Sequence, residues 1–315
     1  MLPAPRGPAP VGRRIFDWTD STRNRELMVF VWYPAQIAND AAKRTPSPIL
    51  PERWSTLAQR RFLPGDVRGS AIADAPVADG RHPLLILLPA MGGIPTDYTT
   101  IAEDLASYGY IVAGITPTGS ARVVVFSNGR VVKQTDDADL ERRDAAQQLV
   151  EQWRKDVRYV RDQLNSNEVF APHIDAQRTG IFGHSFGGAV ALHVLAGDPE
   201  FQRGANIDGA PEGDPIGKLE RPVLFFNGAD LPPSQRTLND AILHEMKTIC
   251  ANDSAGCVWR DTKQAGHMNF SDLGAMPLPL AIPYSHFSLT SIDGPAFLYS
   301  VCSELRAFFG GNARS

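Results

Sequence analysis

Residues 179–197 read TGIFGHSFGGAVALHVLAG. A short apolar run enters a glycine-rich turn and a longer apolar run leaves it, which predicts strand, tight turn and helix. Inside the turn, Gly183, Ser185 and Gly187 form G-x-S-x-G, with Gly188 directly after. The spacing has a steric reason. So sharp a turn holds Ser185 in a strained backbone conformation. Side chains two positions either side would collide with the adjoining strand and helix, so glycine is needed there. Ser185 then stands above the C-terminal edge of a sheet, and the N–H groups that open the helix favour a developing oxyanion. The bare pattern also arises by chance, as a turn with an incidental serine. The strand before it and the helix after it argue against that reading.

The rest of the chain supplies the sheet. RELMVFVWYPA (25–35), HPLLILLPA (82–90), YIVAGIT (110–116), residues 205–207, PVLFFNG (222–228) and residues 257–261 read as strands. Helices are expected at TTIAEDLASYG, capped by Thr99 and ended by Gly109, and at 139–164, with a stripe at Leu149, Trp153, Val157, Val160 and Leu164. Further helices are expected at 238–248 and 295–309, and a short one at 52–61. Strands alternating with helices predict an α/β fold with a mostly parallel sheet flanked by helices on both faces. Residues 36–80 read as an irregular insertion in a single domain spanning 1–315. Residues 118–138 read as a hairpin insertion turning at Asn128-Gly129 in a type I′ turn. The acidic run 135–141 is charge bias at a helix N-terminus, with no metal implied.

Net charge is -4 with both signs dispersed, so nothing points to nucleic acid or an anionic membrane. No stretch has the length and apolar continuity of a transmembrane helix. The N-terminus shows no signal-peptide core, which reads as cytoplasmic as written and as secreted if the N-terminus is trimmed. Cys250 and Cys257 flank ANDSAG and form either a local disulfide or two reduced thiols, while Cys302 reads as a core residue. No Cys/His set has metal-ligand spacing, so neither metal nor cofactor is expected.

A serine hydroxyl needs a base. His184 adjoins Ser185, but neighbours in so tight a turn point apart, so it reads as a packed, hydrogen-bonded support. His193 lies in the following helix and points away, and His82, His173 and His244 read as structural or solvated. His267, in QAGHMNFSDL after the last strand, is the candidate base, with His286 the runner-up. The base needs an acid. Asp208 and Asp230 both follow strands and both fit the chain order Ser, Asp, His, with the pattern alone leaning to Asp230. The oxyanion donors are expected to be the N–H groups of Phe186 and Met91.

In this order, RELMVFVWYPA, HPLLILLPAMGG, GIFGHSFGGAVAL, NIDGAPEG, PVLFFNGAD and GHMNFSDL resemble the secreted-type, serine-dependent platelet-activating factor acetylhydrolases and their bacterial esterase relatives. The resemblance implies the α/β-hydrolase fold. It implies Ser185 as nucleophile, His267 as base and Asp208, not Asp230, as acid, with Met91 and Phe186 as oxyanion donors. Pro89-Ala90 stands where that family usually carries His-Gly, a change in the acyl-pocket wall.

The expected activity is cofactor-independent hydrolysis of carboxylic esters through an acyl-enzyme. The resemblance points to short acyl groups on a small-molecule or lipid ester. Two alternatives are an interfacial lipase, phospholipase or polyester hydrolase, with MPLPLAIPYSHF (276–287) as an apolar lip, and an inactive hydrolase fold used for binding. Oligomeric state is not readable from the sequence.

Overall fold

Short apolar runs bounded by turn residues become strands, and longer periodic runs become helices. The chain forms β1 (Val11–Asp20), β2 (Arg25–Pro34), β3 (Ile72–Ala73), β4 (His82–Leu88), α1 (Thr99–Ser107), β5 (Ile111–Thr116), β6 (Val123–Val125) and β7 (Val131–Lys133). Then come α2 (Arg143–Ser166), β8 (Ile174–His184), α3 (Phe186–Gly197), β9 (Arg203–Ile207), β10 (Val223–Asn227), α4 (Arg236–Asn252), β11 (Cys257–Asp261) and α5 (Gly294–Phe309). This computed structural model describes residues 1–36, 46–51, 54, 67–136, 143–229, 236–276 and 288–311. Apart from Trp54, the helix expected at 52–61 lies outside the described residues, as do most of the acidic run and Asp230, His286 and 277–287. The chain divides into two units. One comprises Met1–Leu87, Gly92–Asp137 and Asp156–Ala176; the other comprises Leu88–Met91, Ala138–Lys155 and Gln177–Ser315.

In the first unit the strands run β4-β5-β2-β1-β3. β4 is parallel to β5 and β1 to β3, while β2 is antiparallel to both β5 and β1. Leu27 to Tyr33 of β2 are all fully buried, hence the unbroken apolar run. β1 was not expected, because Arg13, Arg14 and Asp17 interrupt its pattern. Arg13 is nonetheless buried, and its guanidinium donates to the carbonyls of Ile49 and Pro48 at 3.0 and 2.7 Å. The Asp156 side chain of α2 is 1% exposed and takes Arg25 on both oxygens at 2.6–2.9 Å, with Arg23 at 2.8 Å.

Two local expectations need correction. Thr99 does not cap α1. A 3-10 turn over Pro95–Tyr98 leads into the helix, so Thr99 lies inside the first turn and its Oγ1 donates to the Thr96 carbonyl at 2.9 Å. Gly109 does end α1, in the left-handed region at φ +96. The β6–β7 turn is not type I′, which needs positive φ at both central residues. Gly129 has φ +82, but Asn128 is not among the positive-φ residues. The Gly129 N–H donates to the Phe126 carbonyl and the Phe126 N–H to that of Arg130, so the loop is longer and Gly129 takes the bulge position.

In the second unit β8-β9-β10-β11 are all parallel. α3 packs on β9 and α4 on β11. Phe186 to Leu195 of α3 are buried all round, so its apolarity has no stripe. α2 buries Ala146, Val150, Trp153, Val157, Val160 and Leu164. The expected stripe therefore holds except at its first member, where Val150 replaces the half-buried Leu149. Cys250 and Cys257 form a disulfide between α4 and β11, and Cys302 is free and buried. Among the described residues, no helix is long and apolar enough to cross a membrane.

Removing one member of a buried, hydrogen-bonded ion pair leaves the other charge uncompensated. Asp156→Ala is expected to lower stability by about 3 kcal/mol, measured by urea unfolding. An unchanged midpoint would show that Arg23 and Arg25 find water instead.

Candidate active site

The strand-to-helix turn leaves no room for side chains. A Cβ on Gly183 would lie 2.2 Å from the Gly187 carbonyl oxygen, and one on Gly187 would lie 2.4 Å from that of Pro89. Both obstacles are backbone and cannot move aside. Between them Ser185 has φ +55 and ψ -126, a conformation that L residues rarely adopt. The Ser185 N–H donates to the Ile207 carbonyl at 2.9 Å, tying the turn to the end of β9. Its carbonyl accepts the N–H groups of Gly188 and Ala189 at 2.8 and 3.2 Å, which starts α3.

The next residue after Ile207 is Asp208, also in the left-handed region at φ +52. Its N–H donates to the Phe226 carbonyl of β10 at 2.9 Å. Its carboxylate is held at both oxygens. Oδ1 accepts the Gly228 N–H at 2.7 Å, and Oδ2 lies 2.7 Å from His267 Nδ1. A carboxylate only accepts, so Nδ1 carries the proton and Nε2 is left as the basic nitrogen of the neutral ring. Oδ1's donor was not foreseen. Gly228, just past the end of β10, supplies that N–H. Asp230 itself is outside the described residues.

The loop under His267 is braced by Asn269, which is 1% exposed. Its Oδ1 accepts the N–H groups of Gly266 and Thr290 at 2.8 and 2.9 Å. Asn206, also unforeseen, holds Gly209 through both ends of its amide at 2.8 and 3.0 Å. Asn269 stands in GHMNFSDL and Asn206 in NIDGAPEG, two of the stretches that carry the resemblance, but neither stretch announces these bonds.

His184 is fully buried, and its ring centroid lies 4.3 Å from that of His267. Burial, and next the proximity of His267, push its pKa well below the ordinary imidazole value, although a hydrogen bond with the His267 backbone opposes them. It is the packed support expected from its place in the turn. His193 Nε2 meets the Glu212 carbonyl at 2.8 Å, His82 lies between the Gly109 and Ala78 carbonyls, and His173 Nδ1 lies 3.3 Å from that of Gly80. His244 is exposed on α4. Ligand atoms of His184, Asp208 and His267 lie within 4.8 Å of one another. Asp208 and His267 are hydrogen-bonded to each other, and the buried His184 ring lies beside that of His267, tilted by 35°. The Phe186 ring turns away into an edge contact with Trp153 at 5.0 Å, leaving its N–H in the first turn of α3. Met91 follows Pro89 and Ala90 in the loop after β4, and the Pro89 carbonyl abuts Gly187.

The neutral His184 has a pH consequence. Unfolded, it takes a proton below about pH 6.5; folded, it resists protonation. The unfolded state then binds more protons, so stability is full above that pH and falls below it. Between pH 7.5 and 5, wild type is expected to lose stability more steeply than His184→Gln, by up to about 1.4 kcal/mol per pH unit. Urea titrations of both proteins test this, and equal slopes would mean that the folded ring accepts the proton.

Residues 145–282 match the family profile of platelet-activating factor acetylhydrolase, isoform II. The chain is 26% identical over 253 residues to the platelet-activating factor acetylhydrolase of Canis lupus familiaris, covering 68% of this chain and 56% of that protein. It is 28% identical over 246 residues to a probable 1-alkyl-2-acetylglycerophosphocholine esterase of Arthroderma benhamiae, covering 69% and 60%. It thus spans little more than half the length of these curated relatives. Among solved structures, a ferulic acid esterase from Streptomyces cinnamoneus superposes with a TM-score of 0.83 at 28% identity, covering 98% of this chain and 92% of that one. The parallel sheet, the strand-to-helix turn and these matches give the chain an α/β-hydrolase fold with similarity to the platelet-activating factor acetylhydrolases and to a bacterial ferulic acid esterase.

Proposed function

We propose that the protein is a serine carboxylic-ester hydrolase with Ser185 as nucleophile, His267 as general base and Asp208 as its acid. The observation that carries this is the 2.7 Å bond between His267 Nδ1 and Asp208 Oδ2, one residue beyond the carbonyl that binds the Ser185 N–H. Ser185 Oγ attacks the ester carbonyl while its proton passes to His267 Nε2. The negative oxygen is received by the N–H groups of Phe186 and Met91, each worth about 2.7–4 kcal/mol in such sites. Asp208 stabilises the imidazolium and holds the ring in the productive tautomer. The C–O bond breaks, and the alcohol leaves with the proton from Nε2. A water molecule, deprotonated by the same nitrogen, attacks the acyl-enzyme and releases the acid and Ser185. His184 stays neutral beside this charge change, so no second cation opposes the imidazolium.

The substrate we propose is a small ester with a short acyl group. Relatives named platelet-activating factor acetylhydrolase and probable 1-alkyl-2-acetylglycerophosphocholine esterase support this. A second reading is an aromatic acyl ester, favoured by near end-to-end similarity to a protein named ferulic acid esterase. Rates on p-nitrophenyl acetate, p-nitrophenyl butyrate and methyl ferulate separate the two. Turnover of emulsions or polymer films far above that of all three would instead favour an interfacial enzyme.

Ser185→Ala is expected to abolish hydrolysis. Asp208→Asn is expected to lower kcat by about 10³–10⁴-fold, whereas Asp230→Asn changes it less than about threefold. Steady-state kinetics on p-nitrophenyl acetate check all three. Activity retained in Ser185→Ala, or the reverse ranking of the two aspartates, would overturn the assignment.

A further inference from the structure

One ion pair fastens the stretch of chain directly after Met91, from Gly92 to Asp97. Gly92, the residue after Met91, has φ +73 and turns the chain back on itself. Its N–H donates to the Ser120 carbonyl at 3.0 Å, and its carbonyl accepts the Arg122 N–H at 3.1 Å. Arg122 Nη1 reaches the same carbonyl at 3.3 Å. The guanidinium also grips Asp97 through Nη1 and Nη2, at 2.7 and 2.6 Å. Asp97 Oδ2 accepts the Ile94 N–H at 2.9 Å. The circuit therefore closes: Gly92 carbonyl, Arg122, Asp97, Ile94 N–H. The strip that supplies Arg122 is itself held, since Ser120 Oγ donates to Asp136 at 2.5 Å.

The Arg122 and Asp97 side chains are 40% and 18% exposed. An ion pair so open to water adds little to stability. Its two-pronged geometry is better accounted for by what it joins. A peptide N–H that receives an oxyanion must be aimed before the charge develops, because reorientation during the reaction forfeits the benefit. β4 has ended at Leu88, and Pro89 has no N–H to donate. The direction of the Met91 N–H thus depends on the bonds that hold Gly92 and Ile94.

We propose that Asp97 and Arg122 are positioning residues that aim the Met91 N–H at the oxyanion, without touching substrate themselves. This rests on the ester-hydrolase reading above. Arg122→Ala is expected to lower kcat on an oxygen ester about 30–100-fold, with KM changed less than about threefold. Asp97→Asn is expected to do the same to a lesser degree, and Arg122→Lys to restore part of the loss.

The deciding comparison uses matched oxygen and thiono esters, R–C(=O)–OR′ and R–C(=S)–OR′. Thiocarbonyl sulfur accepts hydrogen bonds poorly, so a misaimed donor penalises the oxygen ester far more. The inference predicts that Arg122→Ala lowers the oxygen-to-thiono rate ratio at least tenfold. It predicts that Asp97→Asn/Arg122→Ala is no worse than Arg122→Ala, because the two act as one unit. Equal losses on both esters, or additive losses in the double variant, would overturn it. If Arg122→Ala does not fold by circular dichroism, the ratio for Asp97→Asn decides instead. A wild type that does not turn over the oxygen ester, or does so without Ser185, would sink the underlying function and not this inference alone.

Discussion

The site depends on one steric constraint, a turn too tight for any Cβ at Gly183 or Gly187. The Gly187 position is pressed against the carbonyls of Leu88 and Pro89, and that of Gly183 against Gly187 itself. The turn holds Ser185 at φ +55, at a cost on the order of 1–3 kcal/mol. The cost is borne by the surrounding bonds: the Ser185 N–H on Ile207, its carbonyl at the start of α3, and the buried α3 itself. Asp208, bonded to His267, follows directly after Ile207, whose carbonyl accepts the Ser185 N–H.

Much of this is legible in the sequence because it is local. Glycine spacing is a short-range demand of the backbone, and buried parallel strands are apolar runs because both faces are covered. What is not legible is set by distant partners. β1 carries two arginines and an aspartate, and Arg13 is acceptable inside only because the carbonyls of Pro48 and Ile49 meet its guanidinium. Thr99 looks like a cap until the preceding 3-10 turn moves the helix start. Asn128-Gly129 looks like a two-residue turn until the strand register makes the loop longer.

The acid is the instructive case. Asp208 and Asp230 have equivalent local contexts, each just past a strand, and residue pattern alone leans toward Asp230. Which carboxylate reaches His267 is a question of three-dimensional geometry between loops far apart in sequence. The resemblance pointed to Asp208, and the structure puts the Asp208 carboxylate on His267 Nδ1 with Gly228 bracing its other oxygen. The Asp97–Arg122 bridge is invisible for the same reason, since nothing between positions 97 and 122 announces it.

The central claim is that Ser185 becomes acylated with its oxyanion held by backbone N–H groups. A crystal structure of the protein after reaction with a small alkyl fluorophosphonate tests it most directly. The account predicts phosphorus bonded to Ser185 Oγ, the phosphoryl oxygen about 2.7–3.1 Å from the Phe186 and Met91 nitrogens, and His267 still paired with Asp208. A phosphonyl group on another residue, or on Ser185 with its oxygen facing away from both nitrogens, would contradict it.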